Sequence, residues 1–582
     1  MNWLLKLNRT TRLGLLSAVL GVVGALGAQV FLWMLHVAES GLLTGISGYS
    51  DISAETASRL AQVPSHPLLW LVPVATTLGG LLSGWLVYHF APEAEGHGTD
   101  AAVASFHRHE GNIRPRIFVV KSVASAITIG SGGAAGREGP TAQIAATIGS
   151  IFGRLLNLNA HERRYLVLVG MAAGLSAIFK SPLGTAIFAV EILYSTMAFE
   201  GEALTFTLIG AAVAYAVNGL FEGWTPLFVL PSDIGFTNIE NLAWYGLLAV
   251  IAGLLGAVMP TFFYRVRDAF KRIPVPPHVK PAIGGLIVGL IGIFVPELLG
   301  GGYGYMQFAL QGASGMAIWF MLALALGKLL ALSLTVGSGG SGGVFAPALF
   351  IGTLLGAAVA SALTQFGVDG IDPTGMAVVG MAAVFAGAAR VPIASMVMVA
   401  EMTGGYTLIM PAMFAVAISY LVQSQVTRNL TYRSLYEAQV SSHHHSPVHY
   451  QTYYRAVADL LRKRKVRLEK DIFDKHFQEA LHQGDVIPIR AGDGGASLYT
   501  LRLPADTDLH DYEVRSLGLQ DILIASIVRN GEQIIPTGGT RLQAGDWLIL
   551  AARPQAMEEF ERRATHHENE EGLEYLAPGS TG

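Results

Sequence analysis

Long apolar runs recur through the first 440 residues, more of them than a water-soluble fold can bury. They fall near residues 13–35, 68–90, 203–220, 242–263, 283–294, 317–334 and 408–422. Several reach the roughly 20 residues that a helix needs to cross a bilayer's hydrocarbon core. Charge is divided to match: 37 of the 80 charged side chains lie in the last 142 residues, leaving 43 for the first 440. The first part therefore has a membrane composition and the second that of an ordinary soluble domain. Lys6, Arg9 and Arg12 precede the first run and place the N-terminus in the cytoplasm by the positive-inside tendency. With no cysteine and a net charge of -4, disulfide frameworks, thiolate metal sites and a general affinity for nucleic acid are excluded.

Three further stretches, 130–152, 165–194 and 337–362, are interrupted by Gly, Pro and an occasional charge. They predict short or tilted helices with irregular joints, which a bilayer tolerates only against protein or water. Two of them repeat. Gly130-Ser-Gly-Gly-Ala-Ala-Gly-Arg-Glu-Gly-Pro140 has a counterpart 207 residues on, Gly337-Ser-Gly-Gly-Ser-Gly-Gly-Val-Phe-Ala-Pro347. Gly170-Met-Ala-Ala, Pro182 and Glu191 match Gly380-Met-Ala-Ala, Pro392 and Glu401, each 210 residues on. Paired halves with broken glycine-rich segments mark a repeat-built transporter whose site lies at the repeat interface near mid-membrane.

A glycine-rich segment that runs into a helix turns several backbone N–H groups toward one point at the positive end of the helix dipole. Such a site holds an anion weakly enough to release it, where a lysine would hold it too long. Neither loop fits a nucleotide-binding pattern. Glu138 stands inside this anion-binding environment. An ionised carboxylate there competes for the anion's own place, and protonation withdraws it, so one side chain can gate the path and sense pH. Arg137 is the neighbouring candidate for its partner.

Gly136-Arg-Glu-Gly-Pro140, Gly342-Gly-Val-Phe-Ala-Pro347, Phe179-Lys-Ser-Pro-Leu183 and Ala400-Glu-Met-Thr-Gly-Gly405 resemble the CLC family of chloride channels and chloride/proton antiporters over most of residues 10–440. The resemblance implies a homodimer with one anion pathway per subunit, chloride and protons as transported ions, and two inverted halves of tilted helices. It implies that Glu138 is the gating glutamate. It also implies that Gly136, Arg137, Gly139, Val344, Phe345 and Ala346 form the anion sites. The family's first anion motif falls at Gly96-His-Gly-Thr-Asp100, with His97 in place of the usual serine; a neutral imidazole can donate as a hydroxyl does, and a protonated one binds more strongly. The family's central tyrosine falls within Thr431-Tyr-Arg-Ser-Leu-Tyr436, where Tyr436 fits the local motif and Tyr432 fits the spacing. Antiporters of the family commonly place a proton-passing glutamate where this chain has Ile192, so the expected function is passive chloride conduction gated by Glu138. The alternative is a coupled chloride/proton antiporter with a substitute proton route through water, Glu191 or Lys180. Glu191 and Glu401 are expected to cap helix ends.

Residues 441–481 read as a linker and helix, with His443, His444 and His445 in a row and a basic run at 462–467. Alternating strands follow at 498–503, 522–528, 533–535 and 547–551, with a hairpin turn at Asn530-Gly531 and a short helix at 517–520. Residues 516–551 resemble the RCK C-terminal, or TrkA-C, domain of potassium-channel regulators, which implies dimerisation and a small regulatory ligand such as a cyclic dinucleotide. Residues 566–582 are expected to be disordered. No catalytic constellation is visible: His161-Glu-Arg-Arg-Tyr165 lacks the second histidine of a zinc-protease helix, and no enzyme, resident cofactor or metal is expected. The expected fold is an all-α polytopic membrane domain over 1–440, built as a CLC-type inverted repeat of tilted and broken helices. A small α+β cytoplasmic domain follows over 482–565. Both termini are expected to be cytoplasmic, in the inner membrane of a prokaryote.

Overall fold

A computed structural model of the chain describes residues 7–51, 68–232, 234–236, 239–312, 316–441, 446, 497–504, 507, 509–517, 522–529, 532–534, 536–552 and 554–564. The chain divides into two compact units, Met1–Val448 and His449–Gly582. The first is helical: α1 (Arg9–Glu39), α2 (Val72–Phe90), α3 (Thr99–Arg108), α4 (Arg116–Gly130), α5 (Glu138–Leu155), α6 (Ala160–Phe179), α7 (Pro182–Glu191) and α8 (Gly201–Glu222) make its first half. The second half repeats the order as α9 (Leu242–Arg272), α10 (Lys280–Phe294), α11 (Tyr303–Leu310), α12 (Ile318–Gly337), α13 (Phe345–Gln365), α14 (Pro373–Ala389), α15 (Pro392–Thr403) and α16 (Ile409–Val426). Among the described residues, eight helical stretches are long and apolar enough to cross a bilayer.

The joints follow from local chemistry, and they come in repeat pairs. Lys180 and Arg390 end α6 and α14 in the left-handed conformation, at φ of 54° and 58°. Pro182 and Pro392 then open α7 and α15, where a missing N–H costs nothing. Asn159 caps α6 by accepting from Glu162 N at 2.9 Å. Small residues set the packing distance, because lipid offers no hydrophobic drive between helices. A Cβ on Gly352 of α13 would lie 2.4 Å from Gly380 O of α14, and one on Gly380 would lie 2.5 Å from Gly352 O. Trp33, Trp70, Phe294 and Trp319 face outward, as lipid-facing side chains do.

The second unit contains an antiparallel sheet in the order β1-β4-β2-β3, with β1 Ser497–Arg502, β2 Ile522–Arg529, β3 Glu532–Ile534 and β4 Trp547–Ala552, followed by α17 (Pro554–Ala564). Leu501, Ile527, Leu548, Leu550 and Phe560 form its core. The buried Asp546 accepts from Arg529 Nε and Nη2, each at 2.8 Å. The four strands stand within a residue of the expected ones. Of the helix expected at 517–520, Leu517 ends a tight turn of helix, Val514–Leu517, and residues 518–520 lie outside the described residues. So do the Asn530-Gly531 turn, the three histidines, the basic run and the tail.

Candidate functional site

Glycine loops meet where the two halves touch. Gly136 N–H donates to Gly343 O at 2.8 Å and Gly343 N–H donates to Gly136 O at 2.6 Å, a reciprocal pair that places a local two-fold between the repeats. The loop before α3 closes on the same point. A Cβ on Gly139 would lie 1.9 Å from His97 O and 2.9 Å from Gly343 Cα. Three backbones thus approach more closely than any side chain at Gly139 would allow, so the glycine is required by contact rather than by dihedral angle.

Glu138 opens α5 and is 2 % exposed. Its Oε1 accepts from the Tyr303 hydroxyl, and the backbone N–H groups of Glu138 itself and of Ala346, at the start of α13, are turned toward the carboxyl. The carboxyl folds back over the loops, since a Cβ on Gly136 would lie 1.9 Å from Oε2 and one on Gly343 would lie 2.9 Å from it. Helix N-termini leave their first N–H groups free for an anion, and α5 and α13 both begin here. Val344, Phe345 and Ala346, at the start of α13, are all buried. Phe345 is wedged between Phe179 and Phe385, with ring centroids at 4.6 and 4.4 Å. Arg137 does not pair with Glu138: its guanidinium lies over the Tyr303 ring, 4.7 Å from the centroid. Tyr303 takes the partner role because its hydroxyl reaches the carboxyl from α11.

Two cavities flank this point. One, of about 440 Å³, is lined by Arg137, Tyr303, Lys180, Glu39 and Asp51 among others. The other, of about 350 Å³, is lined by Glu95, His97, Asp100, Arg267, Lys271 and Glu437 among others. His97 packs edge-on against Tyr436 with ring centroids 5.4 Å apart, and Tyr436 is buried. Tyr432 goes elsewhere: its hydroxyl donates to Asp268 Oδ2 at 2.5 Å and its ring stacks on Tyr264 at 4.7 Å. Of the two tyrosines, only Tyr436 is brought against the first glycine loop.

Ile192 is fully buried, and the carboxylate before it is already engaged. Glu191 accepts from Ile393 N and Ala394 N of α15 at 3.1 and 2.7 Å. Glu401 does the same for α7, accepting from Leu183 N at 3.2 Å, Gly184 N at 2.8 Å and Ser181 Oγ at 2.6 Å. Each repeat caps the other. Glu191→Ala is therefore expected to lower stability by about 1–3 kcal/mol, read from the thermal midpoint, because two buried N–H groups lose their acceptor. Glu191→Gln keeps an acceptor and should lose less; equal losses would reject the capping role.

Sequence reasoning missed Tyr303 and two buried lysines. Lys121 Nζ donates to Ala94 O and Gly96 O at 2.9 and 2.7 Å. Lys328 Nζ donates to Leu298 O, Leu299 O and Gly300 O at 3.0, 3.1 and 2.8 Å. The signal was present: Pro92, Glu93, Gly96 and Gly98 recur 204 residues on as Pro296, Glu297, Gly300 and Gly302, and Lys121 recurs 207 on as Lys328.

Comparison with known proteins agrees with this architecture. The family model described as voltage gated chloride channel matches residues 79–424, and the TrkA-C domain model matches residues 498–565. A chloride channel protein, ClcB-like, of Ralstonia nicotianae is 30% identical over 420 residues, covering 70% of this chain and 92% of that protein. An H(+)/Cl(-) exchange transporter, ClcA, of Salmonella arizonae is 32% identical over 399 residues, covering 65% of this chain and 82% of that protein. The crystal structure of a slow cyanobacterial Cl-/H+ antiporter shares the fold with a TM-score of 0.61 at 24% identity, covering 73% of this chain and 96% of that one.

Proposed function

Since this chain belongs to the voltage gated chloride channel (CLC) family and transports chloride across a membrane, we propose that it does so as an exchanger, moving protons the opposite way. The observation that carries this reading is the Glu138 carboxyl folded onto the glycine loops, toward the Ala346 N–H at the start of α13. A carboxylate there excludes the anion by like charge, and a proton on it admits the anion, so the two ions contend for one place. The passive conduction expected from Ile192 yields to this alternative, which the 32% identity to an exchange transporter supports. The TrkA-C domain is the place for a regulatory small ligand, a cyclic dinucleotide being one candidate. We further propose a homodimer in a prokaryotic inner membrane. The Arg9 end of α1 and the cavity carrying Arg267 and Lys271 are assigned to the cytoplasm.

Purified protein in proteoliposomes under a chloride gradient tests the proposal. Protons should move uphill, in fixed ratio to chloride, as external pH is recorded. Chloride flux with no proton movement would return the passive channel.

A further inference from the structure

We propose that the Arg267–Glu437 ion pair is an anion-capture point at the mouth of the cavity that holds His97, where an entering chloride must take the guanidinium from a carboxylate. The inference goes beyond the reading above. It needs chloride transport alone and does not depend on whether protons move.

The cavity of about 350 Å³ has a deep end and an open end. His97 and Phe263, 7 % and 2 % exposed, line its depth. Gly98 lines it too, and a Cβ there would lie 2.5 Å from Gly139 O, so the cavity reaches the glycine loops that meet at Glu138. The side chains of Lys271, Glu437 and Arg267, which are 62 %, 39 % and 20 % exposed, mark the opening. Arg267 and Lys271 are the only cations in the described lining, while Glu93, Glu95, Asp100 and Glu437 all bring carboxyl groups to it. A small anion therefore has few places to land. Of the two cations Arg267 is the less exposed, and water and salt screen its charge less.

The guanidinium is braced from several sides. It lies over the Tyr264 ring at 4.3 Å and stands 5.8 Å from the centre of the Tyr432 ring, and its Nη2 is 3.4 Å from Asp268 Oδ1. Glu437 meets it through both carboxylate oxygens: Nη2 donates to Oε1 at 3.0 Å and Nη1 donates to Oε2. The backbone around Glu437 is held without this pair. Leu435 N–H donates to Ala388 O at 2.9 Å, Leu435 O accepts from the Tyr264 hydroxyl at 2.7 Å, and Ala438 N–H donates to Asp100 Oδ1 at 2.7 Å. Rotation of the Glu437 side chain thus frees the guanidinium without moving Tyr436, which packs against His97.

An ion pair this open to water adds little to stability, so tethering the segment is not its main effect. Its electrostatic effect is larger. A carboxylate matches a guanidinium in shape and charge and so competes with an anion for the same donors. While the pair is closed, the mouth offers an anion more repulsion than attraction. When Glu437 swings away, a fixed positive charge faces the cavity and raises the local anion concentration, an effect that salt weakens. Glu437 is in this sense a brake on anion capture, and Arg267 is the group it restrains.

The test measures tracer chloride exchange in proteoliposomes with equal chloride on the two sides, so that the orientation of the protein does not matter. The quantity read is the chloride concentration at half-maximal rate. Glu437→Gln should lower it at least about threefold, and Glu437→Lys further, because the guanidinium then faces the anion unmasked. Arg267→Gln should raise it at least about threefold, and Arg267→Gln/Glu437→Gln should return to within about twofold of wild type, since both charges leave together. Raising the ionic strength about tenfold with potassium gluconate should remove most of the Glu437→Gln gain. If the Gln variants at both positions shift the half-maximal concentration in the same direction, the pair is a structural tether and the proposal is overturned. An unshifted value in both Glu437 variants overturns it as well, and those two variants decide alone should Arg267→Gln fail to fold. Proton movement does not enter the measurement, so its outcome is separate from that of the exchange reading.

Discussion

Glu138→Gln is expected to abolish proton movement while leaving chloride flux that no longer responds to pH over about 5–8. The amide has the shape of the protonated carboxyl and, like it, bears no charge to exclude an anion. Its oxygen can still accept from Tyr303, which is the hydrogen bond that Oε1 makes now, so the start of α5 should keep its place. The amide can neither take nor give a proton, so under the exchange reading proposed above the cycle stops at this position. Chloride efflux and proton flux, measured from the same vesicles at several pH values, separate the two effects. A variant that still drives protons uphill would show that another acid gates the path. Tyr303→Phe provides the companion measurement. It removes the single donor to Oε1 and leaves the ring under Arg137, so it should alter the pH response of flux without uncoupling it.

The repeat was readable because its chemistry is carried by Gly, Pro and Glu, residues whose roles depend on backbone geometry rather than on neighbours. Gly136 and Gly343 stand where two segments of the chain touch, and Glu191 and Glu401, expected as caps, each accept from the first N–H groups of the other repeat's helix. The strands of the second unit were readable for a related reason, since a half-buried sheet imposes alternation. Tyr303 was not readable. Its hydroxyl reaches Glu138 across 165 residues of chain, and a tyrosine after three glycines has no local feature that marks it as a gate partner. The choice between Tyr432 and Tyr436 also needed three dimensions. Both lie on one short segment after α16, and only the position of Asp268 on α9 decides which one turns away. The passive-channel expectation rested on the single position of Ile192, and the identity to an exchange transporter favours its alternative.

Lys121→Met and Lys328→Met are expected to destabilise the membrane unit by about 2–4 kcal/mol each, with different functional consequences. Both ammonium groups are fully buried, and an ammonium presents three donors. Lys121 spends two on Ala94 O and Gly96 O, and Lys328 spends all three on Leu298 O, Leu299 O and Gly300 O. Methionine fills similar volume without a donor, so two or three carbonyls lose a partner at about 1–3 kcal/mol each. Relief of the buried charge offsets part of that loss. Lys328 should be the costlier to remove, since it serves one more carbonyl. The loops they clamp lead to different cavities: Gly96 is followed by His97, which lines the one with Arg267 and Glu437, and Gly300 precedes Gly301 and Tyr303, which line the one with Arg137. Thermal melting with and without chloride distinguishes them, because an ion that binds the folded state raises the midpoint. Stabilisation by chloride should shrink in Lys121→Met, whose loop closes on the anion site through Gly98 and Gly139. It should persist in Lys328→Met, where the pH response of flux shifts as in Tyr303→Phe. Equal behaviour of the two variants toward chloride would mean that the repeat's symmetry extends to its function, and that the two loops are not separately held.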